Sequence, residues 1–318
     1  MYRFDCQRNK EQLKLAEAIC AKRIIDLRNS ALGFRTDELS EAALSAYLCK
    51  YIERNKDLWA KSTLAAWMSL YKHIIAFAGD RTTIGDVDRA FAEQYMTYLS
   101  THGNHTNAVR QHIIRLRSVL REAVREGILI RNPLEGFKVP KMTVAKREHL
   151  TIDELRRLID TPCANDVIRR AFLFSCLVGM RFSDIKELEW HDVRENNGMT
   201  RIVFRQRKTR GLEYLDITPQ AEQYLGARRA DNVKVFDIRC SRGTMLSILS
   251  QWVADAGIHK RITFHCARHT FAVMMISLGA DIYTVSKLLG HSHVGTTQEY
   301  TKLLDTKKRE AVNMIPRL

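Results

Sequence analysis

No CxxC pair occurs in this sequence, and its seven cysteines, Cys6, Cys20, Cys49, Cys163, Cys176, Cys240 and Cys266, are scattered and odd in number. Neither a disulfide framework nor a cysteine-built zinc site follows from them. Cys266 stands beside His265 and near His269, but no second cysteine lies close enough in sequence to complete a ligand set. It reads as a small buried thiol, and no metal is expected. No apolar run approaches the length of a membrane span, and the polar N-terminus, MYRFDCQRNKEQ, lacks the apolar core of a signal peptide. A cytoplasmic protein that meets no membrane is expected. Acidic residues are in deficit as well: 36 Asp and Glu stand against 51 Lys and Arg, a net charge of +15. Such an excess points to a polyanionic partner, of which nucleic acid is the commonest, although a basic surface can also serve solubility alone.

With 318 residues and 45% hydrophobic content, the chain is long enough for two domains with real cores. Polar chemistry concentrates in residues 264–302, between two apolar helical runs. Phe271, Ala272, Met274, Met275, Ile276 and Leu278 recur at spacings of three and four, which predicts a buried helix. His265, Arg268 and His269 then sit on its first turns, where unpaired backbone N–H groups and a positive dipole end suit a phosphate. A second helix is predicted from Asp281, as N-cap, to Gly290, with His291 immediately after it. Tyr300 follows nine positions later, two to three turns on if that stretch is helical.

Two histidines, an arginine three residues after the first, Leu289-Gly290-His291-Ser292 and a downstream tyrosine resemble the C-terminal signature of tyrosine recombinases, the phage-integrase family. Upstream, Gly179-Met180-Arg181-Phe182-Ser183-Asp184-Ile185 resembles that family's first arginine box, with Asp184 in the place of its acidic partner. Arg207-Lys208-Thr209 resembles its β-hairpin lysine. Arg181, Lys208, His265, Arg268, His291 and Tyr300 thus match in the family's order across about half the chain, whereas a single HxxR would carry no weight.

The rest of the chain falls into place around that half. Residues 11–30 predict one helix, similar to the connector that follows an arm-type DNA-binding domain in longer members; here that domain is expected to be absent or cut short. Four amphipathic helices are predicted at Glu38–Arg54, Ser62–Ala78, Asp86–Ser100 and Thr106–Glu126, which make a bundle. The last sets Arg110, Arg115, Arg117, Arg121 and Arg125 around an apolar stripe. A stripe against DNA phosphates and a solvated helix face are both open on spacing alone; resemblance to the family's core-binding domain favours DNA, with Arg110 and Arg117 as contacts. Two of the chain's five prolines, Pro133 and Pro140, mark a linker whose Lys138, Lys141, Lys146 and Arg147 suit a strap across a duplex.

In the second half, Thr151–Glu154 read as a capping box, Val167–Val178 as an apolar helix ending at Gly179, and Ser183 or Asp184 as the cap of a helix over Ile185–Trp190. Met199–Arg205 and Leu212–Ile217 predict a hairpin with Lys208 near its tip. Arg205, Arg207 and Arg210 crowd Lys208, so from the residues alone several cations could act there; the family's pattern selects Lys208. Thr218-Pro219 starts another helix, and more follow at Arg242–Ala256 and Leu303–Asn313.

The resemblance implies a mainly α fold with a small β-sheet: a connector over 1–36, a SAM-like helical core-binding domain over 37–131, a linker over 132–148 and a DNA breaking-rejoining catalytic domain over 149–318. It implies double-stranded DNA as partner, a homotetramer on paired sites, accessory proteins that bend DNA, and no cofactor. The chemistry would be attack of Tyr300 on a phosphodiester, with Arg181 and Arg268 on the non-bridging oxygens, His265 as proton acceptor, His291 bonding the phosphate and Lys208 as acid to the 5′ oxygen. His269 is next to this set but outside it, and a packing or hydrogen-bonding role fits it better. A type IB topoisomerase uses similar groups; a regulator or decayed integrase would bind without cutting; a helix-turn-helix factor would leave Arg181 and Tyr300 as coincidences.

Overall fold

The computed structural model describes residues 41–143, 148–208, 210–291 and 293–301, together with positions 14, 16–21 and 24, which are helical. The rest of the predicted 11–30 helix, Lys146, Arg147 and the helix predicted at 303–313 lie outside the described residues. The chain divides into two compact units, 1–144 and 145–318, and no described helix is long and apolar enough to cross a membrane.

Four helices build the first unit: α1 (Leu44–Asn55), α2 (Lys61–Ala78), α3 (Arg89–Thr101) and α4 (Thr106–Arg125). The first starts later than its pattern suggests because Ala43 is held in an isolated β-bridge with Thr83. The third also starts late: Thr83 and Asp86 close a capping box around a 3-10 turn, and Asp88 then caps α3 by accepting from Phe91 N at 2.7 Å. The stripe on α4 is the core face, with Ile113, Leu116 and Leu120 fully buried, each worth about 1.5–3 kcal/mol.

The segment after α4 packs back on the helix and is no free tether. Leu134 and Phe137 are buried in the unit's core. Arg110 Nη1 donates to Pro140 O at 2.9 Å, Arg117 Nη2 to Phe137 O at 2.5 Å, and Asn107 pairs with Thr143 in both directions. Two arginines of the basic stripe therefore hold the chain that leads to Lys141, which is itself exposed.

His112 is buried on α4 and hydrogen-bonds Tyr95 Oη through Nδ1 at 3.0 Å. Burial, then the neighbouring His73 and Arg115 charges, pushes its pKa down to about 4. Above the unfolded value near 6.5 both states are neutral and the full contribution is present; as pH falls from there toward 4, the unfolded chain takes up a proton that the folded one refuses, so stability falls. Hydrogen-exchange protection of α4 amides is expected to drop by about 2 kcal/mol between pH 7 and pH 4.5. His112→Gln should remove most of that dependence.

In the second unit, helices α5 (Ile152–Asp160), α6 (Asp166–Val178), α7 (Phe182–Ile185), α8 (Pro219–Glu222), α9 (Arg242–Asp255), α10 (Phe264–Ser277), α11 (Ile282–Leu288) and α12 (Gly295–Thr301) accompany a sheet of β1 (Val193–Asn196), β2 (Met199–Arg205) and β3 (Leu212–Ile217). The core gathers Phe172 and Phe174 of α6, Trp252 of α9 and Phe264 of α10. The sheet is antiparallel in the order β1-β2-β3, and Leu215 and Ile217 alternate inward. Strand β1 is an addition to the predicted hairpin. Asn196 pairs with Met199 across Asn197 and Gly198, both at positive φ, the two-residue turn that Asn-Gly favours.

One local prediction is corrected. The helix after Arg181 is the single turn Phe182–Ile185, not Ile185–Trp190, and neither Ser183 nor Asp184 caps it; Arg181 occupies the N-cap position. Glu189 and Asp192 instead close a capping box around a separate 3-10 turn.

Candidate active site

Helix α10 begins at the capping residue Thr263, whose N–H donates to the buried Cys266 Sγ at 3.3 Å. The thiol thus serves the helix start, and the described residues contain no group of three or more metal-type ligands. From this start Arg268 is carried into the core at 4% exposure. Its Nη1 donates to Gly179 O at 3.0 Å and its Nη2 to Leu289 O at 2.5 Å. These carbonyls lie at the C-terminal ends of α6 and α11, where backbone acceptors lack helical partners and the dipole is negative. One planar fork thereby joins three helices.

Gly179 turns the chain at φ +76°, and a Cβ there would meet Phe271 Cδ1 at 2.5 Å. Two residues later Arg181 leaves this turn beside Arg268. Its Nη2 donates to Gly290 O at 3.3 Å, while its buried Nη1 has no hydrogen-bond partner and stands 4.0 Å from Asp184 Oδ2. Burial, then the Arg181 charge, lowers the Arg268 pKa to about 10. A buried guanidinium with a half-buried one beside it favours an anion at the pair.

Asp184 links this turn to the hairpin. Its buried carboxylate accepts from Arg207 N at 3.0 Å and from Ser183 Oγ at 3.3 Å. Lys208, the next residue, lies exposed in the β2–β3 turn. Arg207 is committed elsewhere, with Nη1 2.6 Å from Glu187 Oε1.

Helix α11 is capped by Asp281, whose Oδ1 accepts from Tyr283 N and Thr284 N, both at 2.9 Å. It ends in a Schellman motif: Gly290 N donates to Lys287 O at 2.8 Å and His291 N to Ser286 O at 3.0 Å. That motif sets His291 one residue past the turn, and a 2.7 Å bond from Nδ1 to Thr297 Oγ1 fixes its ring. Gly290 packs on the hairpin base, where Gln206 Nε2 donates to Glu213 Oε1 at 3.0 Å. A Cβ at Gly290 would stand 1.9 Å from Gln206 Nε2 and 2.6 Å from Glu213 Oε1, at φ +59°. Gly290→Ala is expected to destabilise the unit by about 1–2 kcal/mol through the left-handed backbone alone. It would also part the hairpin from the His291 turn and slow any reaction the two share by roughly 10²-fold, checked by thermal melting and single-turnover rates together.

Tyr300 sits on α12 at 2% exposure, packed among Phe271, Val273, Val285 and Leu289. Its Oη is 2.7 Å from His269 Nδ1. His265, one turn earlier on α10, is exposed and meets His269 edge-on with ring centroids 4.4 Å apart. The imidazole on the tyrosine is therefore the one that sequence reading leaves outside the set. The signal lies in the four-residue spacing, which puts both histidines on one helix face. Thr297, Gln206 and Glu213 are likewise absent from the predicted set and carry no pattern of their own.

Residues 148–307 match the phage integrase family, and residues 43–139 match the phage integrase SAM-like domain. The tyrosine recombinase XerC of Pelobacter propionicus is 30% identical over 266 residues, spanning 79% of this chain and 87% of that protein. The tyrosine recombinase XerD of Staphylococcus haemolyticus is 26% identical over 290 residues, spanning 86% of this chain and 98% of that one. Among solved structures, a lambda integrase dimer bound to a COC′ core site superposes with a TM-score of 0.68 at 19% identity, covering 81% of this chain and 95% of that one. A Tn1549 transposon integrase with circular intermediate DNA gives 0.66 at 16% identity, covering 81% and 94%.

Proposed function

Since this chain belongs to the phage integrase family and is a tyrosine recombinase, an enzyme of site-specific DNA strand transfer, we propose that Arg181, Arg268, Lys208, His265, His291 and Tyr300 are the groups that cut and rejoin its DNA. The observation that carries this site is the buried guanidinium of Arg268 beside the half-buried one of Arg181, whose Nη1 is a buried donor with no hydrogen-bond partner. A phosphodiester oxygen matches that donor in charge, and the contacts strengthen as negative charge builds at phosphorus. Tyr300 Oη attacks, the bond to the 5′ oxygen breaks, and Lys208 gives that oxygen its proton. His265 and His291 add N–H groups to the phosphate, and Asp184 holds the hairpin through Arg207 N.

The product is a 3′-phosphotyrosyl bond and a 5′ hydroxyl. The bond energy is retained, so a 5′ hydroxyl from a partner duplex rejoins the strand without ATP. The positive charge a metal would supply is already carried by side chains.

The first unit serves as the core-binding domain and the second as the catalytic domain, in line with the matches over 43–139 and 148–307. DNA is the partner. Arg110 and Arg117 position the 137–143 strap and meet phosphates beside the exposed Lys141. Assembly as four protomers on two duplexes, with a protein that bends the DNA, is supported in its first part by the lambda integrase tetramer bound to a Holliday junction. Action in the cytoplasm is part of the same reading, for a basic chain in which no described helix is long and apolar enough to cross a membrane.

The test is a nicked suicide duplex from the genomic flanks, resolved on a denaturing gel. A shifted covalent band in wild type, absent in Tyr300→Phe, is expected. Tight binding with no band on any flank would overturn the assignment.

A further inference from the structure

We propose that His269, and not His265, takes the phenolic proton of Tyr300 during strand cleavage. The inference rests on the strand-transfer reading above and assigns a role within that same site.

A phenol with an ordinary pKa of about 10 is nearly all protonated at neutral pH, so its attack on phosphorus needs a base within hydrogen-bond reach, roughly 2.6–3.2 Å. His269 Nδ1 meets that distance at 2.7 Å. Both partners are withdrawn from solvent, His269 at 6% and Tyr300 at 2% exposure. Their surroundings keep the pair together: His269 is on α10, one residue from the anchored Arg268, and Tyr300 is wedged between α10 and α11 by Phe271, Val273, Val285 and Leu289. His265 is differently placed. It is exposed, and His269 occupies the position next to Tyr300 Oη. Such a placement suits His265 to an incoming phosphate.

The step balances within the site. Tyr300 O–H donates to Nδ1, the proton moves to the imidazole, and the phenolate oxygen forms the bond to phosphorus. The bond from phosphorus to the 5′ oxygen breaks and that oxygen takes a proton from Lys208. On rejoining, the 5′ hydroxyl gives its proton to the neutral Lys208 amine as it attacks phosphorus, the bond from phosphorus to the tyrosine oxygen breaks, and the imidazolium returns its proton to the departing phenolate.

The experiment uses the full chain and the nicked suicide duplex under single-turnover conditions. A wild-type covalent band that Tyr300→Phe abolishes must be seen first; its absence would overturn strand transfer and this assignment together. Given the band, His269→Ala is expected to slow capture by about 10²–10³-fold without weakening DNA binding, and added imidazole to recover at least about tenfold of the loss. His269→Asn keeps an amide where Nδ1 stands but offers no basic nitrogen, so it should fold and remain slow, and it decides the matter if the alanine variant does not fold. Wild-type rate in His269→Asn would overturn the proposal by showing that a hydrogen bond alone suffices. So would a His265→Ala variant as slow as expected for His269→Ala while His269→Asn cuts normally.

Discussion

Arg268→Lys is expected to slow covalent capture of DNA by at least about 10³-fold and also to loosen the second unit. Both effects come from one geometry. The guanidinium spans Gly179 O and Leu289 O, 3.0 and 2.5 Å away on two different helix ends. An ammonium is a point charge on a flexible stem and cannot hold both, so at least one buried carbonyl loses its donor at about 1–3 kcal/mol. The lost fork also removes a donor from the phosphate as its charge builds. Tyr300→Phe separates these roles, since it removes the nucleophile but leaves the helix junction whole. The expected pattern is a lowered melting temperature for Arg268→Lys and a smaller drop for Tyr300→Phe, which loses only the hydroxyl on buried His269, with both inactive on the suicide duplex. An Arg268→Lys protein that cuts at a wild-type rate would show that the guanidinium fork is dispensable for catalysis.

The electrostatic state of this residue sharpens the expectation. Burial, then the Arg181 charge, brings its pKa down to about 10, well below the ordinary arginine value. A base whose folded pKa lies below its unfolded one costs stability while charged, so that cost is present throughout the range below about pH 10 and is relieved only as pH rises from there toward the ordinary arginine value. At neutral pH the site holds one buried positive charge with a second, half-buried one beside it, and a bound DNA phosphate offsets their repulsion.

How much of this was legible beforehand depends on whether the information is local. The hairpin was, because runs of β-branched and aromatic residues over Met199–Arg205 and Leu212–Ile217 flank a polar turn, and the strands occupy those spans. The α4 stripe was, because Val109, Ile113, Leu116 and Leu120 repeat at helical spacing and all are buried. Strand β1 escaped although Asn197-Gly198 announces its turn, since Val193–Asn196 is short and carries one apolar residue. The helix predicted over Ile185–Trp190 failed because its polar residues found tertiary partners: Glu187 and Glu189 both pair with Lys234, which competes with helical propensity.

At the site, the residue types and their order could be read along the chain, but the contacts that orient them could not. Nothing local says that Arg268 would reach carbonyls 89 and 21 residues away, or that Asp184 would serve the backbone of Arg207 instead of a helix start. The His269–Tyr300 bond joins residues 31 apart and depends on how α12 packs against α10. Spacing placed the two histidines on one face; only packing decides which of them meets the phenol.

Lys208→Ala is expected to slow cleavage of an ordinary duplex by about 10²–10⁴-fold, because the departing 5′ alkoxide would leave without a proton. The structure narrows the competing cations around it: Arg207 is paired with Glu187 at 2.6 Å, and Arg210 sits beyond the turn at φ +58°. Its position is set from behind, by Asp184 on Arg207 N and by the Gln206–Glu213 pair against Gly290. A substrate with sulfur in place of the scissile 5′ oxygen isolates the role. A thiol has a pKa of about 8.5, far below that of an alcohol, so the thiolate departs without help from an acid. On that substrate Lys208→Ala should approach the wild-type rate, while Arg181→Ala stays slow, because phosphate charge still has to be met. Failure of the sulfur substrate to rescue Lys208→Ala, or rescue of Arg205→Ala or Arg210→Ala in its place, would move the acid to another residue of the same turn. Rescue of Lys208→Ala alone would mean that one exposed ammonium at the hairpin tip, anchored through the buried Asp184, delivers the proton that completes strand cleavage.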